Sequence, residues 1–401
     1  MNKPMITVDE ALGALLGGAT PIAETERVST LEATGRVLAA DQFSTVNVPP
    51  LDNTSMDGYA VRAADCASGE ARLRVAQRIP AGTIGQALAP DTAARIFTGA
   101  PIPPGADAVV MQEVCTVEGD EVVVRHKPRQ GEWIRSAGED IRAGSCILEH
   151  GATLTPQACG LAASVGLADV PVYRRLRVAV FFTGNELVMP GEELPEGGIY
   201  NSNRFTIRGL LQRLGCEVND LGIVPDSLEA TREAFRRAAA TSDLIVTSGG
   251  MSVGEEDYVK AAVEAEGEIE MWRIAVKPGK PLAFGRVGGA AFIGLPGNPV
   301  SLFVTAVVFV RPFILRCQGA SAVEPRAFPV RADFDWPKPD VRREFLRVKL
   351  NGEGGLELFP NQGSAVLTSA VFADGLVDNP ERHPIVRGDM VRYIPLSELL
   401  G

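Results

Sequence analysis

A serine-glycine-glycine turn is the first stretch of this sequence whose residue types suit a chemical task. In TSGGMSVGEEDYVK, which spans residues 247–260, Ser248, Gly249 and Gly250 follow an apolar Leu-Ile-Val segment. Glycines at the end of a strand let backbone N–H groups come close to an anion such as phosphate. Glycine pairs also form plain tight turns, so the sequence supports both a phosphate-binding loop and a purely structural turn.

Three acids, Glu255, Glu256 and Asp257, come soon after this turn and would repel a phosphate. Acidic residues suit the first turn of a helix, and the helix dipole explains at least one of them without a ligand. Alternatively, carboxylates bind a hard cation such as Mg²⁺, which then shares the phosphate oxygens. Glu186 and Asp226, at the ends of neighbouring predicted strands, would complete such a ring of ligands.

Positive charge is offered by VKPGKP, where Lys277 and Lys280 flank a Pro-Gly turn. Surface lysines are common and need no function. A rigid turn that follows a strand of the same sheet would nevertheless fix both ammonium groups as point charges toward a phosphate or oxyanion.

The segment LPGNPVS lies between a predicted strand and a long apolar helix. Pro299 suits the first helical turn, and Asn298 suits the cap before it. Capping alone would explain Asn298. Two prolines, Pro296 and Pro299, would also hold the loop rigid where exposed helix N–H groups can bind an anion.

Three further polar residues lie in turn-rich segments outside this pattern. Asp57 occurs in DNTSMDGYAV, Thr98 in RIFTGAPIPPGAD and Asp140 in SAGEDI. Asp-Gly is an ordinary turn former, so each segment is weak evidence alone. The sequence contains no G-x-S-x-G, Walker loop or G-x-G-x-x-G motif.

The elements that must position these residues change character near residue 174. From 174 to 322, buried strands alternate with amphipathic helices, which predicts a parallel sheet with helices on both faces. Ligands of such sheets bind beyond the carboxyl ends of the strands. The segments FTGNEL, VPDS and TSGG all fall at such ends, so we expect the site there.

The rest of the chain predicts smaller units. Residues 46–144 show short strands with Gly/Pro turns, typical of a small all-β domain. Residues 1–45 and 145–173 are predicted to form one discontinuous N-terminal unit that contains helices. Apolar and polar residues alternate from 323 to 401, which predicts a small β-barrel or sandwich.

Composition excludes several classes of function. A length of 401 residues implies several domains, and a formal net charge of -11 argues against a nucleic-acid partner. The 6 cysteines are scattered without a C-x-x-C pair, so we expect neither zinc nor disulfides and infer a cytoplasmic location. The most apolar run, 300–310, is about half the length of a membrane span, which predicts a core helix and no membrane partner.

Together the motifs resemble the molybdopterin molybdenumtransferase family, to which the gephyrin E domain is related. The matching stretches occur in the family's order over nearly the whole chain: DNTSMDGYAV, RIFTGAPIPPGADAVV, GEDI, FTGNELV, YNSNR, LGIVPD, TSGGMSVGEEDYVK, VKPGKP, LPGNPVS and RREFLRV. Asn185 stands where the family has Asp or Asn. Since the side chain of Asn185 is neutral, the metal would have to rely on Glu186 and the other acids for its negatively charged ligands.

The resemblance implies an N-terminal helical segment, a β domain, a three-layer molybdopterin-binding α/β domain and a C-terminal β-barrel. It further implies an elongated homodimer whose site is shared between the α/β domain of one subunit and the β domain of the other. The implied reaction inserts molybdate into adenylylated molybdopterin with Mg²⁺ and releases AMP. Contact with the adenylylating enzyme of the pathway is a further implied partnership.

The resemblance also assigns roles to individual residues. Those expected to hold the pterin phosphate or diphosphate are Ser248, Gly249, Gly250, Pro296, Gly297, Asn298, Pro299 and Ser301. Those expected to bind the metal or orient the attacking group are Glu186, Asp226 and Asp257. Those expected to attract molybdate are Lys277, Lys280 and Arg343. Those expected to reach in from the partner subunit, as orienting or acid/base groups, are Asp57, Thr98 and Asp140.

Two alternatives stay open at the level of sequence. Molybdopterin adenylyltransferase shares the Ser-Gly-Gly turn and the Pro-Gly-Asn-Pro loop, but it normally consists of the α/β domain alone. A non-catalytic, gephyrin-like scaffold could keep the pocket as a relic, although the acids and lysines stand at every expected place.

Overall fold

The computed structural model describes residues 5–250 and 258–400. The elements of its first part are the helices α1 (Val8–Gly18) and α2 (Pro156–Ser164) and the strands β1 (Thr25–Ser29), β2 (Gln42–Phe43), β3 (Asn53–Thr54), β4 (Gly58–Val61), β5 (Ala71–Ile79), β6 (Thr92–Ile96), β7 (Ala108–Met111), β8 (Cys115–Glu118), β9 (Glu121–Val124), β10 (Ile134–Arg135), β11 (Cys146–Leu148) and β12 (Asp169–Tyr173).

The middle of the chain alternates strands and helices. Its elements are β13 (Arg177–Thr183), β14 (Leu187–Val188), β15 (Ile199–Tyr200), α3 (Ser202–Arg213), β16 (Glu217–Val224), α4 (Leu228–Thr241), β17 (Leu244–Ser248), α5 (Tyr258–Glu266), β18 (Gly267–Arg273), β19 (Val276–Lys277), β20 (Pro281–Val287), β21 (Ala290–Leu295), α6 (Pro299–Thr305) and α7 (Arg311–Cys317).

The last part is mainly strand. Its elements are β22 (Phe328–Arg331), β23 (Arg343–Leu350), β24 (Leu356–Leu358), α8 (Leu367–Phe372), β25 (Gly375–Asn379), β26 (Met390–Pro395) and α9 (Leu396–Leu400).

The sheet that carries the predicted site has the order β16-β13-β17-β21-β20-β18. The first four strands are parallel, as expected. Strand β20 runs antiparallel to both of its neighbours, β21 and β18, so the sheet is mixed. Ser248 is paired with Phe182 on one side and with Leu295 on the other. The carboxyl ends of β13, β17 and β21 therefore lie side by side at one edge.

Side chains along β13 alternate between two cores, which makes this part three-layered. Val178, Val180 and Phe182 pack with residues of α1, α3, α6 and α7. Ala179 and Phe181 pack with residues of α4 and α5 on the opposite face. The two helical layers hold the strand ends rigidly in place.

The apolar run that begins at Val300 is a core helix, and it is longer than the sequence suggested. Helical structure continues from Pro299 to Cys317, 19 residues, through a π-helical stretch at Ala306–Val310. Pro312 has no N–H to donate, and we attribute the π-helical widening before it to that loss. This helix has the length and composition of a membrane span, but 83% of its most apolar 18-residue stretch is buried inside the protein, as expected of a core helix.

The N-terminal half contains a six-stranded sheet with the order β7-β4-β6-β5-β9-β8, which lies within the predicted β domain. Strand β1 pairs with β12, and β2 pairs with β11, so the chain before this sheet meets the chain after it. The domain boundaries themselves stay predictions.

The C-terminal strands form a sheet with the order β19-β23-β25-β26-β22, and β24 pairs with β23. An isolated bridge between Ala332 and Leu356 links the end of β22 to β24. Closure of these strands into a β-barrel stays a prediction. Strand β19 comes from the α/β segment, so this sheet and the α/β sheet are joined through the chain that carries Lys277.

Candidate functional site

A crevice of about 610 Å³ opens at the carboxyl ends of β13, β17 and β21. Its walls combine residues that follow these strands with residues from the start of α3. The lining residues predicted from sequence are Glu186, Ser248, Gly249, Gly297, Asn298 and Pro299. The structure therefore brings the glycine turn, the proline loop and one of the acids into a single site.

The glycine turn at the end of β17 requires glycine. Gly249 has φ +98 and Gly250 has φ +60, conformations that other residues rarely adopt. A side chain at Gly249 would overlap the carbonyl oxygen of Thr183, and one at Gly250 would come 2.6 Å from Cγ2 of Val259. The turn is thus pressed against β13 and α5, and its backbone borders the crevice directly.

The hydroxyl of Ser248 is already engaged inside the protein. It donates to the carbonyl oxygen of Pro296 at 3.1 Å, and it accepts from Nδ2 of Asn203 at 3.0 Å. The same Nδ2 also donates to the carbonyl oxygen of Gly297 at 2.7 Å. Asn203 was not among the residues predicted from sequence, although it lines the crevice together with Asn201 and Tyr200.

The start of α6 is capped differently from the expectation. Asn298 occupies the cap position but makes no side-chain capping bond. Instead, the N–H groups of Val300 and Ser301 donate to the carbonyl oxygen of Ser364, at 2.9 and 3.3 Å. Two N–H groups that the sequence predicted for anion binding are therefore hydrogen-bonded to a loop of the C-terminal part. Asn298 lines the crevice.

Two of the predicted metal-binding acids are described, and they lie at adjacent strand ends. Asp226 accepts from the backbone N–H of Asn185 at 2.9 Å, and its own N–H donates to Oδ1 of Asn185 at 3.4 Å, which ties the end of β16 to the end of β13. Glu186 lines the crevice beside Gly184, where a side chain would meet its carboxylate at 2.7 Å. The third acid, Asp257, lies outside the described residues, as do Glu255 and Glu256.

The described part of the chain contains no group of three or more His, Cys, Asp or Glu side chains arranged to hold a metal ion. A complete magnesium site, as the sequence predicted it, therefore depends on Asp257 or on oxygens of the substrate.

The two lysines differ in their surroundings. Nζ of Lys277 lies 3.1 Å from Oε1 of Glu344, which is completely buried, and 3.4 Å from Asp340. The other oxygen of Glu344 accepts from the indole N–H of Trp336 at 2.8 Å. Lys277 is therefore part of a structural ion pair of the C-terminal sheet. Lys280 makes no ion pair with any described residue. Its loop packs against α6, since a side chain at the neighbouring Gly279 would come 2.3 Å from Oγ1 of Thr305.

Arg343 was expected to attract molybdate, but its charge is already compensated. Its guanidinium binds both oxygens of Asp378, at 2.6 and 2.7 Å, and one oxygen of Asp9, at 2.8 Å. These carboxylates raise the pKa of Arg343 further above its usual range. The residue links α1 to the C-terminal sheet instead of presenting a free cation.

Arg347, four residues further along β23, is the guanidinium that sequence analysis overlooked. It is fully buried and donates to the hydroxyl of Ser369 and to the carbonyl oxygens of Phe345 and Gly363. No described carboxylate is paired with it, and burial lowers its pKa to about 10. An unpaired buried cation on the inner side of the loop that caps α6 contributes positive potential to that side of the crevice.

The three residues expected from the β domain lie away from this crevice in the same chain. Asp57 accepts from the backbone N–H of Thr98 at 2.8 Å and from its hydroxyl at 2.7 Å, and these bonds, the backbone one foremost, lower the pKa of Asp57. Asp140 is exposed in a separate turn. Among the described residues, no hydrogen bond or ion pair joins 46–144 to 174–400.

Comparison with known proteins defines the class to which this arrangement belongs. The MoeA N-terminal region (domain I and II) matches residues 6–166, the probable molybdopterin binding domain matches 179–316, and the MoeA C-terminal region (domain IV) matches 329–396. The crevice thus lies in a multidomain protein built around a molybdopterin-binding α/β domain.

Full-length relatives narrow this class. The chain is 41% identical over 405 residues to molybdopterin molybdenumtransferase of Haemophilus influenzae, covering 99% of this chain and 100% of that relative. It is 37% identical over 368 residues to molybdopterin molybdenumtransferase 2 of Mycobacterium tuberculosis, covering 88% of this chain and 90% of that relative. A crystal structure of the molybdopterin biosynthesis MoeA protein of Pyrococcus horikoshii is similar with a TM-score of 0.85 and 29% identity, covering 98% of this chain and 100% of that chain. The chain belongs to the molybdopterin molybdenumtransferase family, which confirms the resemblance seen in its motifs.

Proposed function

We propose that this protein inserts molybdate into adenylylated molybdopterin, releasing AMP and forming the molybdenum cofactor. The observation that carries the proposal is the crevice in which the Ser-Gly-Gly turn, the Pro-Gly-Asn-Pro loop and Glu186 meet at the ends of parallel strands. A relative named molybdopterin molybdenumtransferase matches 99% of the chain, which favours this transfer over the adenylyltransferase and scaffold alternatives.

The chemistry of the crevice suits two anionic substrates. Cleaving a phosphoric anhydride depends mostly on positioning and charge neutralisation, because the protein itself has little covalent chemistry to perform. The glycine turn offers backbone donors. Lys280 does not line the crevice itself, but it follows Gly279, which packs against α6, and no described carboxylate pairs with its ammonium group. Arg347 adds positive potential from within the protein. The sulfur atoms that bind molybdenum in the product would belong to the pterin, since the cysteines of this chain are scattered singly along the sequence.

We propose Mg²⁺ as the cofactor, held by Glu186 and Asp226 with Asp257 as a third acid. Carboxylate oxygens are suitable ligands for this ion. The carboxylate of Glu186 has no hydrogen-bond partner among the described residues, and Asp226 engages only Oδ2, so both retain free oxygens. When bound, Mg²⁺ supplies neutralisation of phosphate charge. These two side chains would fix its place at the ends of β13 and β16.

A shared site in a homodimer is the arrangement that best accounts for Asp57, Thr98 and Asp140. These residues lie outside the crevice of their own chain, and Thr98 and Asp140 are exposed. Large apolar side chains surround the start of α3 near the crevice; Ile199 is 54% exposed and Phe205 is 56% exposed. A surface of this kind suits coverage by a second subunit. We also propose a cytoplasmic location and an encounter with the adenylylating enzyme, which would deliver the substrate.

The direct test is incubation of the purified protein with adenylylated molybdopterin, molybdate and Mg²⁺. We expect AMP release that depends on molybdate and stops when the divalent ion is chelated. Release without molybdate, or none at all, would contradict the proposed transfer. Continued release in the presence of chelator would contradict the metal proposal alone.

Complementation tests the shared site separately. Asp57→Ala and Glu186→Ala homodimers should both be inactive, whereas heterodimers of the two variants should regain activity because one of their two sites is intact. Purified heterodimers without activity would show that both residues act within one chain.

A further inference from the structure

Asn203 joins the two loops that form the crevice. It lies in the first turn of α3, and its side-chain nitrogen reaches Ser248 Oγ at 3.0 Å and the carbonyl oxygen of Gly297 at 2.7 Å. Ser248 in turn donates to the carbonyl oxygen of Pro296. In the part of the chain that the structure describes, no other side chain hydrogen-bonds to both the glycine turn and the proline loop.

The orientation of this amide follows from its partners. The carbonyl oxygen of Gly297 can only accept, so the side-chain nitrogen of Asn203 must face it. Both hydrogens of that nitrogen are then used, one for each loop. The hydroxyl of Ser248 accepts one bond and donates another, so its single proton is committed to Pro296.

The remaining oxygen of Asn203 is buried and has no hydrogen-bond partner in the described protein. An unpaired buried acceptor costs free energy, so this side chain is not optimal for stability alone. Its two donor bonds have another consequence, which is to set the distance between the loops. The first turn of α3, which carries Asn203, is stabilised by Asn201, whose side chain caps the helix by accepting from the N–H of Arg204 at 3.1 Å.

We propose that Asn203 is a positioning residue for the transfer reaction. It fixes the spacing between the Ser-Gly-Gly turn and the Pro-Gly-Asn-Pro loop, and thereby the width of the crevice that receives the phosphate-bearing part of the substrate. Ser248 already links the turn to the proline loop through Pro296. Asn203 adds a second tie, from α3, that holds Ser248 and Gly297 at the same time. This inference rests on the proposed function for the identity of the substrate.

The experiment compares Asn203→Ala with Asn219→Ala as a matched control. Asn219 loses the same atoms and one hydrogen bond, from Nδ2 to Oγ1 of Thr241 at 3.1 Å, in a side chain that does not line the crevice. Measured by AMP release, Asn203→Ala should raise the KM for adenylylated molybdopterin about tenfold with a smaller change in kcat, because lost positioning weakens binding. Asn203→Asp has the same shape without the donors and should be at least as impaired. Asn219→Ala should match the wild type.

A double-mutant cycle with Ser248→Ala separates positioning from general loosening. If Asn203 acts through Ser248, its replacement should raise KM less in the Ser248→Ala background than in the wild type. Additive effects, a KM within twofold of the wild type, or a change confined to Tm would each overturn the inference. If the wild type itself releases no AMP, the proposed function fails. The inference is then decided by crystal structures, in which the loops of Asn203→Ala must lie further apart than those of the wild type.

Discussion

Lys277 and Lys280 look alike in sequence, but their substitution should have different effects: Lys277→Ala should lower stability, and Lys280→Ala should lower activity. Removing the side chain of Lys277 leaves Oε1 of Glu344 without its cation, inside the protein and away from water. The other oxygen of Glu344 keeps the indole N–H of Trp336 and the backbone N–H of Asp340. Lys277→Ala therefore strands a buried carboxylate that retains only neutral donors.

The size of the effect follows from the burial of the two partners. Breaking a buried ion pair by removing one member costs about 3–5 kcal/mol. The side chain of Lys277 is 35% exposed while that of Glu344 is 0% exposed, so water reaches only one partner. Arg342 also interacts electrostatically with Glu344 and is still present in Lys277→Ala, so it reduces the loss in the free energy of unfolding. We expect a loss of about 2–3 kcal/mol. For a cooperative unit of about 150–250 residues, this loss lowers Tm by roughly 4–12 °C.

Thermal unfolding followed by circular dichroism measures this loss. Lys280→Ala should stay within about 0.5 kcal/mol of the wild type, because it breaks no ion pair with a described residue. It should instead raise the molybdate concentration needed for half-maximal AMP release. Adding Glu344→Gln to Lys277→Ala should restore part of the lost stability, since it removes the stranded charge. Equal stability of the two lysine variants, or no recovery in the double variant, would refute the reasoning.

Two further substitutions test the turn geometry and the β-domain carboxylate. Gly249→Ala should lower stability by roughly 1–3 kcal/mol for its backbone conformation alone, and more because its Cβ overlaps the carbonyl oxygen of Thr183. Gly297→Ala has open space around its Cβ and should unfold like the wild type; a similar loss there would contradict the steric argument. Thr98→Val removes one of the two donors that lower the pKa of Asp57, so that pKa should rise. If the reaction needs ionised Asp57, activity should then fall off at a higher pH than in the wild type, and an unchanged acid limb of the pH–rate profile would contradict this.

The parallel part of the α/β sheet is predictable because its strands are continuous apolar runs followed by polar turns. Strands β13, β17 and β21 are buried on both faces, and such runs are recognisable without tertiary information. The antiparallel pair β20–β21 was not predicted as a hairpin, although a signal was available. Gly288 and Gly289 form a two-residue turn between apolar runs, which is a typical hairpin sequence, and Gly288 has φ +56.

The site was only partly predictable for a different reason. The loops at the strand ends could be placed, since the carboxyl edge of a parallel sheet brings them together. The partners of the charged side chains could not be placed, because they are distant along the chain. Glu344 is 67 residues away from Lys277, and Asp378 is 35 residues away from Arg343. Local spacing carries no information about such pairs.

The same reasoning separates cations that can serve an anionic substrate from those that cannot. The chain carries 39 Lys and Arg against 50 Asp and Glu, so acids outnumber bases. A Lys or Arg that forms an ion pair within the fold cannot also neutralise an anionic substrate. Arg343 and Lys277 have met buried carboxylates and now hold the C-terminal sheet together. Lys280 and Arg347 have not met one among the described residues. An acidic protein can thus attract an anion at one edge of its sheet only where the fold keeps carboxylates away from a few chosen cations.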